Sequence, residues 1–139
     1  MAKSMAEIRK ALLKAMTDAT NQMAKSVEHE VDERFMDYYT GYYPVEYNRT
    51  GAMSYAPQKT DAVASGSGAS ATVYLNTDYS YDTGTWSGYE VIDSANKGLH
   101  GGIDAGDGVC VWDDPMNIVK SNSRSMWERA FKSAGVKLK

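Results

Sequence analysis

The stretch SMAEIRKALLKAMTDATNQMAKSVEHEVDERFMDYYTG, residues 4–41, decides how this chain of 139 residues folds. Met5, Ile8, Leu12, Met16, Ala19, Met23, Val27, Val31 and Phe35 recur at steps of three and four, the period of one helix face. Ser4 followed by Glu7 has the spacing of a capping box, in which two side chains meet amide donors left open at a helix start. Gly41 can take the left-handed conformation that closes a helix, and Pro44 cannot continue one. At about 1.5 Å per residue the element is about 50 Å long. A compact chain of this size is only about 35–40 Å across. The helix therefore overhangs its own domain, and a stripe containing Met5, Leu12, Met16 and Met23 asks for a neighbour. Flexible thioethers suit such a contact.

The length favours one domain over residues 1–139 with a modest core. No run approaches the roughly 18 apolar residues of a membrane helix. The first residues are already amphipathic, which is not the basic-then-apolar pattern of a secretory signal. A single cysteine, Cys110, excludes an internal disulfide framework and an all-cysteine metal cage. It is compatible with a reducing compartment. Net charge is −3, which argues against holding nucleic acid by neutralising phosphates. The charge is unevenly spread. Residues 40–114 carry three basic and ten acidic side chains, whereas residues 115–139 carry six basic and one acidic. A chain so lopsided can stack on copies of itself with unlike patches facing, or simply present both patches to solvent.

Beyond the helix and turn of residues 1–43, residues 44–113 turn rich in Gly, Ser, Thr, Tyr and Asp. Residues 72–76 (TVYLN), 89–93 (YEVID) and 109–112 (VCVW) read as strands, with a Gly-Ser hairpin tip or mobile loop before the first. Asp114–Pro115 reads as an N-cap acid and a proline at the first helical position, opening a C-terminal helix and tail over residues 114–139. The serines of residues 121–125 are weak helix formers and allow a start nearer Asn122. The fold class is α+β: a long N-terminal helix, a small antiparallel sheet and a C-terminal helix.

Catalytic signals are sparse. Cys110 is the one strong nucleophile, with His100 ten residues upstream, and a small cysteine hydrolase would be built on that pair. Cys110 sits between two valines in a half-buried strand pattern, which suits an inert structural thiol better. Residues 104–108 (DAGDG) lack the alternating oxygens and closing glutamate of a calcium loop. No phosphate-cradling glycine loop is present, and no metal or cofactor is expected. The sequon at residues 48–50 reads as coincidence. Tyr38, Tyr39, Tyr42, Tyr43 and Tyr47 crowd the end of the long helix, with Tyr55 behind them. Their paired apolar face and polar tip fit an interface or a core edge, and would also serve a soluble module binding sugar or peptide.

Residues 42–50 resemble the Y-x-P-x-x-Y-x-R-T signature that follows a long N-terminal helix in tail-completion, or minor-tail-protein-Z-like, neck proteins of siphophages. The matching positions are Tyr42, Pro44, Tyr47, Arg49 and Thr50. The order of elements in that family covers nearly the whole chain, while the Gly/Tyr-rich loops depart from it. The resemblance implies no catalysis, and a virion protein of the neck or tail that passes through the host cytoplasm during assembly. It implies a ring of identical subunits, sixfold or twelvefold, at the head–tail junction. One side would meet a head-side connector or stopper protein, the other a tail-side terminator or tube protein. DNA would pass through without specific binding, and no membrane is involved. A tail-terminator ring is the nearest alternative. Arg49 could bond carbonyls left open at the helix end, with Thr50 capping the turn. Asp78, Asp82, Asp104 and Asp107, all in glycine-rich loops, are candidates for lining a channel that repels phosphate.

Overall fold

The computed structural model describes residues 3–41, 52–78, 87–100, 103–104, 106 and 108–137. The long helix forms as one element, α1 (Met5–Thr40). Its capping box closes in both directions: the Ser4 amide donates to Glu7 Oε2 at 2.7 Å, and the Glu7 amide donates to Ser4 Oγ at 3.2 Å. The helix ends at Gly41, as the sequence predicts, but Gly41 keeps right-handed helical angles, with φ −74°, rather than the expected left-handed ones.

After a short 3-10 turn (Ala52–Tyr55) come β1 (Pro57–Lys59), β2 (Val63–Ser65), β3 (Gly68–Ser70) and β4 (Val73–Leu75). β1 pairs antiparallel with β4, and β2 with β3. The two pairings are the base and tip of one hairpin. Ser65 opposes Gly68, so Gly66 and Ser67 form a two-residue turn. Gly66 has φ +59° and Ser67 does not cross to positive φ, the pattern of a type II′ turn. Residues 60–62 on one arm face residues 71–72 on the other, so the hairpin carries one extra residue as a bulge. The Ala62 amide at that bulge donates to Asn21 Oδ1 of α1 at 2.7 Å, which pins the hairpin to the helix.

Next come α2 (Gly88–Asn96), a two-residue pairing of β5 (Leu99–His100) with β6 (Ile103–Asp104), and α3 (Asp113–Ser133). Among the described residues the strands thus form separate two-stranded ribbons, and the architecture is α+β.

Residues 89–93, expected to be a strand, lie inside α2. Ser87 and Glu90 form a second capping box, and Gly88, Ile92 and Ala95 are buried at helical spacing. The local β-branched pair Val91–Ile92 had suggested the wrong period. Residues 109–112 are not a strand either. Val109 and Val111 are buried as alternation requires, but the backbone amides bond to side chains instead of a ladder. Cys110 N–H donates to Asp114 Oδ2 at 2.9 Å, and Trp112 and Asp113 both donate to Asn96 Oδ1, at 2.9 and 2.8 Å.

That last pair of bonds also moves the start of α3. Asn96 supplies from another helix the cap that Asp114 was expected to give, so the helix begins at Asp113. Pro115 is buried in the first turn, where its missing amide costs nothing. The serines of residues 121–125 do not delay the helix.

α1 is the spine of both cores. Val31, Phe35 and Tyr38 pack with Met53, Ala56, Ile92, Ala95, Val109 and Val111. Ala19 and Met23 pack with Met126 and Ala130 of α3. Met23 is therefore a core residue of its own chain, 7% exposed, and not part of the outward stripe predicted for it. Arg34 Nε pairs with Asp114 Oδ2 at 3.4 Å, tying the end of α1 to the start of α3.

Candidate functional site

α1 and α3 run antiparallel. Arg34 meets Asp114, Met23 meets Met126 and Ala130, and Asp18, Asn21 and Gln22 share a cavity wall with Ser133 and Ala134. α3 ends at that level, and α1 continues. All residues from Lys3 to Leu12 are exposed, so Met5–Leu12 stands clear of the body for about 12 Å. On this arm Met5 is 80% exposed, Ile8 47% and Leu12 57%, forming a ridge at positions i, i+3 and i+7. Met16, further along, is half-buried. Of the stripe expected to face a neighbour, Met5 and Leu12 are presented, joined by Ile8.

The arm is basic and the far half of the same helix is acidic. Lys3, Arg9, Lys10 and Lys14 stand against Glu7, while Glu28, Glu30, Asp32, Glu33 and Asp37 stand against Lys25 and Arg34. This order runs opposite to the one a helix dipole favours, acids first and bases last. Lys14 is answered by Asp18 at 2.6 Å and Asp37 by Arg34 at 3.2 Å. Lys3, Arg9, Lys10, Glu28, Glu30 and Asp32 have no ion pair among the described residues. Loss of solvent, and then the Glu28 carboxylate beside it, push Asp32 above the ordinary aspartate range. At the arm's tip the bonds from the Ser4 amide and hydroxyl hold Glu7 below the ordinary glutamate range.

A second surface lies beside the middle of α1. Thr20, Met23, Ala24 and Val27 form one wall of an open groove, Ala71 and Val73 of the hairpin another, and Trp112, Met116 and Trp127 the third. Its volume is about 250 Å³, and Thr20 is the one polar residue among its described lining. Trp127 is 36% exposed at its rim. Met116 and Trp127 lie on the last helix, and the sequence announces no groove there. Three segments far apart in the chain build it, and no local pattern announces that.

The remaining expected positions divide. Tyr42, Pro44, Tyr47, Arg49 and Thr50 lie outside the described residues, as do Asp82 and Asp107. Asp78 and Asp104 are exposed; Asp104 accepts a bond from the Gly106 amide at 2.8 Å, and the Asp78 amide donates to Asn76 Oδ1 at 2.9 Å. Tyr38 is a core residue whose hydroxyl donates to the Leu99 carbonyl at 2.8 Å. His100 is 2% exposed and stacked flat on Tyr38, with ring centroids 4.0 Å apart and planes 7° from parallel. Cys110 is half-buried. Among the described residues no three His, Cys, Asp or Glu side chains are grouped to hold a metal, and no helix is long and apolar enough to cross a membrane.

No curated protein and no solved structure gives a match to the chain. A family profile, YomN, matches residues 4–134, from the Ser4 cap of α1 to the C-cap of α3. The chain belongs to the YomN family, a phage-associated family.

Proposed function

We propose that this protein is a structural virion component, a subunit of a ring at the phage head–tail junction that leaves a channel for DNA. The observation that carries the reading is the arm of α1: a capped helix end whose apolar ridge is exposed and finds no cover among the described residues. Membership of a phage-associated family supports it, and so does the resemblance of residues 42–50 to the neck-protein signature. The buried, stacked His100 favours this reading over a hydrolase, because a general base must reach its substrate. In this reading the exposed acids Asp78 and Asp104, together with Asp82 and Asp107, face the channel. The partners would be a head-side connector or stopper and a tail-side terminator or tube protein.

The native mass decides the matter first. Light scattering and electron microscopy of the purified chain should show closed particles of six or twelve copies. Antibody labelling of intact phage should then mark the neck. A monomer at all concentrations, whose melting responds to a sugar or peptide, would replace the ring with a binding module.

A further inference from the structure

The ridge and the groove are two halves of one contact. Met5, Ile8 and Leu12 are exposed on a helix end that projects from the body, and the groove beside Ala24 and Val27 is apolar and open. Both lie on a single continuous helix. Ile8 and Ala24 are separated by about 24 Å of rise, so no chain can place its own ridge in its own groove. We infer that the α1 arm of one copy seats its Met5–Ile8–Leu12 ridge in the Val27–Val73–Trp112–Met116–Trp127 groove of the next copy. Such a contact joins two different surfaces, and repeating it closes a ring or extends a filament.

On the α1 wall of the groove charge suits the same occupant, while the α3 wall belongs to the basic last helix. The arm brings Lys3, Arg9 and Lys10, which have no ion pair in their own chain among the described residues. Val27, on the groove wall, is followed by Glu28 and Glu30, half-buried and likewise without an ion pair. Within one chain the order of charge along α1 is unfavourable to its dipole. Between two copies the same order becomes attractive, since basic arm meets acidic flank. This inference rests on the ring reading and names the contact that would build it.

The test uses the full chain and two surface variants. Ile8→Glu with Leu12→Glu charges the ridge at exposed positions, and Val73→Glu charges the groove. Sedimentation should show each variant alone losing self-association by roughly a hundredfold or more, as expected for removing apolar anchors. Mixed in equal amounts, the two should form dimers and stop there, because one working ridge and one working groove remain. A second measurement adds no charge to either surface: in a Cys110→Ser background, Ile8→Cys and Trp127→Cys chains should cross-link with each other when mixed. A groove variant that is folded and associates like the native chain would show ridge-on-ridge pairing and overturn the inference. Rings formed by the Ile8→Glu, Leu12→Glu variant would also overturn it while leaving the ring reading standing. A native chain that stays monomeric would overturn both.

Discussion

Asn96 does for α3 what no side chain of α3 does for itself. Helix starts leave backbone amides open, and Trp112 at the N-cap offers no side-chain acceptor. The Asn96 carbonyl oxygen takes both the Trp112 and the Asp113 amides, so the last residue of α2 fixes where α3 begins. Asn96→Ala should therefore cost about 1–2 kcal/mol in denaturant unfolding, the range for losing a cap and leaving donors open. Asn96→Asp should recover part of that, since it keeps the acceptor but adds charge beside Asp113 and Asp114. Full stability in the alanine variant would mean that solvent replaces the cap without loss. The two capping-box glutamates make a pH prediction of definite sign. Glu7 and Glu90 are both held below their ordinary range by bonds from Ser4 and Ser87. Their contribution is complete above the ordinary glutamate value of about 4.3 and is lost as pH falls through the lowered folded values. Replacing both with Gln should flatten the acid limb of the stability curve and leave the curve above pH 6 with the same slope.

At the scale of elements, the same four-residue signal started two helices, and only one was legible. Ser4–Glu7 opens a series of nine apolar residues at helical spacing that runs from Met5 to Phe35, so cap and period agree. Ser87–Glu90 has the same chemistry, but α2 is nine residues long, and within it Val91–Ile92 carries the stronger local preference for a strand. The cap was the better guide because it counts hydrogen bonds, whereas the short apolar run fits either period. The segment around Cys110 failed for a different reason. Its in–out burial is real, but its amides go to Asn96 and Asp114, which lie on elements that alternation says nothing about. The hairpin tip was legible because glycine's freedom at Gly66 is local. The groove was not, because its walls come from three distant segments. For α1 the consequence can be measured. The arm is exposed along its whole length, so the Ser4–Glu7 box bears most of the task of keeping it helical in the free chain. Ser4→Ala should speed amide exchange in residues 5–12 by roughly tenfold and leave residues 19–38 protected, since their protection comes from the cores.

At the scale of the whole molecule, charge is sorted along two axes. Along α1 it runs from basic arm to acidic flank, and along the chain from an acidic middle to a basic last helix. The first axis serves contact between copies in the inference above. The second bears on what a ring would enclose. If residues 40–114 face the lumen, their net acidity repels phosphate, and DNA slides without sticking. If they face outward they only confer solubility. Asp78 and Asp104 are exposed and hold no structural ion pair among the described residues, so reversing them should leave the fold intact. Changing Asp78, Asp82, Asp104 and Asp107 together to Lys would turn four repulsive sites into phosphate ligands. Particles carrying that variant should assemble with rings of native mass but eject DNA slowly. The delay should shrink as salt is raised, because screening weakens each added contact. Slow ejection that ignores salt would point to a misshapen ring instead. Normal ejection from assembled particles would place these loops on the outside of the channel.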